Sequence, residues 1–252
     1  MDLELSGKVA LVTGASVGLG RHIARLLSDE GCRLAILARR TDLLETLADD
    51  VAALGRERPL VLTYDVTRPE TAGRVRDQVL DTFGGLDVLV NNAGGSRPLS
   101  GLGTMEEWDE AMRLNFDAGR SLAHAFIPDM EKRRFGRIIN ITGSDEPMTL
   151  NAGVPPNGAV HIWAKALSRT VARHGITVNC IPPGRLHSDQ VDQRLLPTEE
   201  ARRAWVEQNC PAGYIGEPKE LAVLVAFLAS PRARYINGQV IHVDGGARRA
   251  AM

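Results

Sequence analysis

TGASVGLG, Thr13 to Gly20, follows the apolar run VALV from Val9 to Val12 and leads into a segment with Ile23, Leu26 and Leu27 at helical spacing. Glycines at 14, 18 and 20 let backbone N–H groups approach a pyrophosphate closely, and the start of a helix adds partial positive charge. Such a cluster between a strand and a helix is far more specific than glycines alone. The stretch therefore predicts a βα unit whose turn, with Gly14, Ser16, Val17, Gly18, Leu19 and Gly20, cradles a dinucleotide. The competing reading is a tight turn that binds nothing.

The same alternation runs outward to both ends of the chain. Val9 to Val12, Leu34 to Leu37, Leu60 to Thr63, Val88 to Val90, Ile138 to Ile141, Ile176 to Ile181 and Val240 to Val243 read as strands. Short runs apolar on both faces suit a parallel sheet that is covered on both sides. Between them lie Leu43, Leu44, Leu47, Val51 and Leu54, then Val75, Val79 and Phe83, at helical intervals. The pattern predicts an α/β chain, a single Rossmann-type domain over 1–252 with a doubly wound parallel sheet of about seven strands and helices on both faces. No repeat or linker interrupts it. The loosest stretch, Arg185 to Gly216, suits a flap over the strands' C-terminal edge.

A chain of 252 residues, 44% hydrophobic, can bury one full core. Thirty basic and thirty-one acidic residues leave a charge of -1, so neither nucleic acid nor an anionic membrane is an expected partner, and a small-molecule substrate is. Cys32, Cys180 and Cys210 are widely spaced and lack a C-x-x-C pair, which argues against a disulfide framework or a metal site. The opening MDLELSGK has no signal-like apolar core, so a cytoplasmic location is expected.

The second predicted strand ends LARR. An acid that would meet the ribose hydroxyls of NAD is absent there; Ala38 removes the repulsion, and Arg39 and Arg40 can hold a 2′-phosphate. NADP(H) is thus favoured over NAD(H), against the alternative that both arginines are solvated surface charge.

With these residues in view the chain resembles the short-chain dehydrogenase/reductase family over nearly its whole length. TGASVGLG is similar to that family's TGxxxGxG, NNAG at Asn91 to Gly94 to its central motif, and LNF places Asn115 at its catalytic asparagine. The resemblance implies adenine contacts from Asp65 and Val66, cofactor contacts from Asn92, Ala93 and Gly94, and a hold on the nicotinamide carboxamide from Pro183, Gly184 and Ser188. It also implies a homodimer or homotetramer.

In that family a tyrosine transfers the proton, a lysine four residues later lowers its pKa and binds ribose, and a serine polarises the carbonyl. HIWAK, residues 161 to 165, keeps the spacing with histidine in place of tyrosine. The family's tyrosine, however, stands about 26 residues before the asparagine of its I-T-V-N strand, since the helix must run back along the sheet. Counting back from Asn179 reaches Gly153, and the lysine position becomes Asn157. The segment GVPPN then opens the helix, because proline is tolerated in a first turn and excluded from an interior. His161 falls eight residues on, about 12 Å at 1.5 Å per residue, well below the nicotinamide. The serine position falls on Gly143, with Ser144 able to serve if the strand end bulges. Only Asn115 is plainly retained, and Asn157 can still bond the ribose.

Replacement chemistry has several candidates. Asp145 and Glu146 follow the fifth strand and can act as acid or base if substrate desolvates them; otherwise they are a solvated pair or a cap. His161 is either a general acid or a packing residue, and Trp163 is expected to fill a subunit contact. Arg185 and His187, beside the nicotinamide, are substrate candidates: Arg185 can grip a carboxylate, or hold the flap by a salt bridge. His22, His124, His174 and His242 read as structural. Three functions follow: an NADP(H)-dependent oxidoreductase for a carbonyl/alcohol pair or another reducible bond, with an unusual proton donor; a lyase, isomerase or cyclase in the same scaffold; or a non-catalytic NADP(H)-binding subunit.

Overall fold

A computed structural model describes residues 1–143, 145–146, 149–188 and 191–250, with only the backbone of residue 194. In chain order the elements are β1 (Val9–Thr13), α1 (Gly18–Asp29), β2 (Arg33–Ala38), α2 (Thr41–Ala53), β3 (Leu60–Thr63), α3 (Thr71–Phe83), β4 (Val88–Asn91), α4 (Met105–Met112), α5 (Ala118–Arg133), β5 (Gly136–Ile141), α6 (Val154–Val171), β6 (Ile176–Ile181), α7 (Glu199–Asn209) and α8 (Pro218–Ala229). The strands form one sheet in the order β3-β2-β1-β4-β5-β6, with every pair parallel.

Alternate side chains divide the core in two. Ala10, Val12, Leu34 and Ile36 pack under α1, α2 and α8, with Ile23, Leu47 and Val225 at full burial. Leu11, Leu37 and Leu89 pack under α3, α5 and α6, with Val79, Phe126 and Ala164. Each large apolar side chain so buried contributes about 1.5–3 kcal/mol relative to exposure, which is why strands apolar on both faces settle between two helical layers.

The sheet has six strands rather than about seven. Residues 240–243 do run parallel to β6: the Cys180 N–H donates to Gln239 O, Ile241 to Cys180 O, Val243 to Pro182 O and Gly184 to Val243 O, at 2.9 to 3.1 Å. Pro182 has no N–H to continue the ladder, so the pairing breaks into isolated bridges at Val240 and Val243.

The helix boundaries follow local chemistry. Thr104 and Glu107 form a capping box at α4, and Pro218 opens α8. Pro155 and Pro156 sit in the first turn of α6, which begins at Val154 with Gly153 as its N-cap. Among the described residues, no helix is long and apolar enough to cross a membrane.

Candidate active site

The strands' C-terminal ends converge on the glycine turn. Gly14 and Gly18 take φ values of +67° and +57°, a region that side chains rarely adopt. A Cβ on Gly14 would lie 2.9 Å from Asn92 Nδ2, and one on Gly20 would lie 2.5 Å from the same atom. The turn is clamped from the neighbouring strand. Thr13 Oγ1 accepts the N–H groups of Asn92 and Ala93, both at 2.9 Å, while Asn92 Nδ2 donates to Thr13 O at 2.9 Å. Gly18 is open on its other side, where a Cβ would meet only Ser188 Cβ at 4.0 Å. Ser16 is buried, Leu19 packs on the core, and Val17 holds the extended conformation that starts α1.

Beside this turn β2 ends at Ala38, and exposed Arg40 reaches across it, its Nη2 donating to Ser16 Oγ at 3.1 Å. Arg39 is exposed and lies near Asp65. Hydrogen bonds from Thr67 hold the Asp65 carboxyl below its usual range, and the charges of Arg39 and Arg68 add to this. Val66 packs on the core below. The bare, positive-φ face of Gly18 and the cationic edge at Arg40 fit a dinucleotide's phosphates, and the turn belongs to a doubly wound, dinucleotide-binding fold.

Asn115 lies in a π-helical stretch, Arg113–Asp117, between α4 and α5. Such a widened turn in a helix often marks a functional position. Its Oδ1 accepts the Gly95 N–H at 2.8 Å and its Nδ2 donates to Ala111 O at 3.0 Å, while Gly94 lies against the same oxygen. A small cavity beside it is lined by Asn91, Asn115, Asn140, Thr142, Val160 and Trp163. Asn91 Oδ1, buried, has no partner among the described residues, which suits an ordered water.

Gly153 and Asn157 open α6 at the same sheet edge. A Cβ on Gly143 would come 2.7 Å from Asn157 Nδ2, so the amide occupies the space of a larger residue at 143. A Cβ on Gly153 would lie 2.9 Å from Gly95 O and 3.3 Å from Arg97 N. The loop after β4 thus closes over that position, zipped by Ala152 N–H to Arg97 O at 3.0 Å and by Arg97 N–H to Asn151 Oδ1 at 2.9 Å.

HIWAK lies deeper. His161 Nε2 bonds Thr142 Oγ1 at 3.0 Å, and burial lowers its pKa against the pull of Asp145. Lys165 Nζ donates to Gly238 O at 3.2 Å, and Gly238 N–H bonds Val178 O in the middle of β6, away from the strand ends. Trp163 is partly buried within the chain, with its ring 6.2 Å from Phe116 and 6.1 Å from His124.

Asp145 and Glu146 are tied to the C-terminal tail. His242 Nε2 lies 3.3 Å from both Asp145 oxygens and Arg248 Nε 3.4 Å from Oδ1, a pairing that gives His242 a definite partner. Glu146 accepts the N–H groups of Arg249 and Ala250, and these bonds lower its pKa. Ser144 lies outside the described residues. After β6, Pro183 bridges Val243, and Gly184 packs on Asp244 so closely that a Cβ would lie 2.7 Å from its Cα. Arg185 lies 5.9 Å over the Trp205 ring, its pKa lowered by desolvation, with no carboxylate partner among the described residues. His187 Nδ1 lies 2.8 Å from Asp192 Oδ1, a contact that sequence spacing did not suggest.

Comparison with known proteins places this fold further. A sequence model described as enoyl-(acyl carrier protein) reductase matches residues 14–248. The 3-oxoacyl-(acyl-carrier-protein) reductase FabG of Vibrio cholerae is 40% identical over 249 residues, covering 97% of this chain and 98% of that protein. Its Escherichia coli counterpart is 37% identical with the same coverage. The L-sorbose reductase of Gluconobacter frateurii, solved with NADPH and L-sorbose, matches with a TM-score of 0.94 at 30% identity, over 99% of this chain and 100% of that one. The chain belongs to the short-chain dehydrogenase/reductase family.

Proposed function

We propose that the protein is an NADP(H)-dependent reductase of small carbonyl compounds in which the proton comes from a group other than the family's tyrosine. The observation that carries this reading is the cationic edge beside the glycine turn, Arg40 on Ser16 with Ala38 where an acid would favour NAD. Gly14, Ser16, Gly18 and Gly20 would hold the pyrophosphate, Arg39 and Arg40 the 2′-phosphate, and Asp65 and Val66 the adenine. Asn92, Ala93, Gly94, Asn157, Pro183, Gly184 and Ser188 would line the nicotinamide half. The bound cofactor supplies hydride to the carbonyl carbon. Relatives named as reductases, one of them solved with NADPH, support the assignment.

At positions 153 and 157 the chain offers glycine, with no proton to give, and asparagine, with no charge to depress a neighbouring pKa. Losing one general acid costs about 10²- to 10⁴-fold, which leaves turnover of an activated carbonyl measurable. Arg185, with no carboxylate partner among the described residues, would meet a substrate carboxylate or phosphate.

The test is NADPH oxidation followed at 340 nm with acetoacetyl-CoA, L-sorbose and an α-keto acid. Turnover with NADPH in preference to NADH is expected. Arg39→Ala with Arg40→Ala should weaken NADPH binding about 10- to 100-fold, the worth of one charged hydrogen bond, and leave NADH binding unchanged. Failure to bind NADPH would sink the reading. The packing of Asn157 on Gly143 supports a second one, an NADP(H)-binding subunit without turnover, identified by tight NADPH binding and no oxidation of it with any carbonyl.

A further inference from the structure

The reductase reading, on which this inference rests, leaves the proton without a source. Around the strand ends, nearly every described titratable group is engaged. Asp145 is shared by His242 and Arg248, Glu146 takes two tail amides, and His161 Nε2 is on Thr142. Asp244 accepts from the Gly246 and Arg248 amides, and Tyr214 donates to Glu220. His187 is different in exposure: its side chain is 38% exposed against 19% for His242, and the ring nitrogen that its carboxylate partner does not hold is Nε2.

His187 Nδ1 lies 2.8 Å from Asp192 Oδ1, so the carboxylate accepts and Nδ1 carries the hydrogen. Asp192 is itself fixed, its Oδ2 accepting the Ser188 N–H at 3.0 Å and its own N–H donating to Ser188 O at 2.8 Å. The His187 backbone is pinned by its N–H to Gly216 O at 2.9 Å. Nε2 has no partner among the described residues, and the side chain is 38% exposed. Ser188, the next residue, is the one that meets the open face of Gly18 at 4.0 Å, so this turn stands directly against the cofactor's cradle. A carboxylate that orients one imidazole nitrogen and leaves the other unbonded on a part-exposed side chain is the arrangement of an acid–base histidine.

We propose that His187, oriented by Asp192, is the general acid of carbonyl reduction in this protein. The His187 imidazolium gives its Nε2 proton to the carbonyl oxygen as the carbon accepts hydride from the reduced nicotinamide. The C=O π pair becomes the new O–H bond, the carbonyl is reduced to an alcohol, NADPH is oxidised to NADP⁺, and solvent reprotonates the imidazole.

His187→Asn tests this against a merely structural clamp, because the asparagine amide can still donate to Asp192 while no proton remains to be given. With acetoacetyl-CoA or L-sorbose as substrate, kcat should fall about 10²- to 10⁴-fold and NADPH affinity should stay within about twofold. His187→Ala should regain at least about tenfold activity with added imidazole. On the free protein, nitrogen-15 spectra of labelled histidine should show His187 protonated at Nδ1, a preference that Asp192→Ala, which removes the acceptor, abolishes. Wild-type turnover that His187→Asn retains within about threefold would overturn the dyad and leave the reductase reading standing. An Nδ1 without hydrogen in the free protein would also overturn it. No NADPH oxidation by the wild type with any carbonyl would remove the reductase reading itself.

Discussion

Gly20→Ala is the sharpest test of how the glycine turn is built. An added Cβ would lie 2.5 Å from Asn92 Nδ2 and 2.8 Å from the Gly14 carbonyl carbon, and the latter is backbone that cannot rotate away. Overpacking of this kind costs about 1–3 kcal/mol. Displacing Asn92 also breaks its 2.9 Å bond to Thr13 O, worth about 1 kcal/mol. Alanine's better helix propensity in the first turn of α1 returns at most about 1 kcal/mol, so the net loss is about 1–3 kcal/mol. At roughly 2–4 °C per kcal/mol for a domain of this size, the melting temperature should drop by about 2–12 °C. The matched control is Gly73→Ala in α3, exposed, with nothing within 4 Å of its added Cβ. There only propensity acts, and a gain of about 0.5–1 kcal/mol is expected. Thermal melts of the cofactor-free protein followed by circular dichroism should move in opposite directions for one and the same substitution. If Gly20→Ala melts at or above the wild-type temperature, the close packing inferred for this turn is wrong.

Thr13→Val keeps the shape of β1 but leaves the Asn92 and Ala93 N–H groups without their acceptor; at about 1–3 kcal/mol for each unsatisfied group, chemical denaturation should show a loss of at least about 2 kcal/mol. Burial lowers the His161 pKa, so below the ordinary imidazole value of about 6.5 the unfolded chain takes up a proton that the folded one resists. Stability contributed above that value should be lost as pH falls through the folded pKa, and His161→Gln should flatten that limb in denaturation curves between about pH 7 and 5. Burial pushes the Cys32 and Cys180 thiols up to about 12. Both should resist a thiol reagent at pH 8 until the protein unfolds, and stability should fall as pH rises from about 9 towards 12, where only the unfolded chain releases the proton.

Much of the site was readable because its determinants are local. Glycines 14, 18 and 20 announce a turn by backbone freedom alone, and the Pro155-Pro156 pair predicts the start of α6 to within two residues of Val154. The count that sets the family's proton donor at 153 rather than 161 uses spacing along the chain alone; Lys165, in α6, donates to Gly238 O beside the middle of β6. The seventh strand was read from its apolar run, which gives no hint that Pro182 on the partner strand would interrupt the ladder.

Charged partners separated along the chain were beyond reach. Asp145 and Glu146 read from sequence as free carboxylates at the site's mouth, yet the fold returns His242, Arg248 and the 249–250 backbone to them from about a hundred residues away. His187 and Asp192 are five residues apart, a spacing of the rare π-helical turn that their sequence does not announce, and meet where the chain turns at Ser188 and Gly216 pins it. The succession of strands and helices and the tight glycine turn were thus determined by the sequence itself, through periodicity and backbone chemistry that act over a few residues. Which groups pair with Asp145 and Glu146, which carboxylate holds His187 and how the loop after β4 closes over Gly153 were decided only by tertiary structure, because side-chain pairing depends on distances in space that chain spacing does not encode.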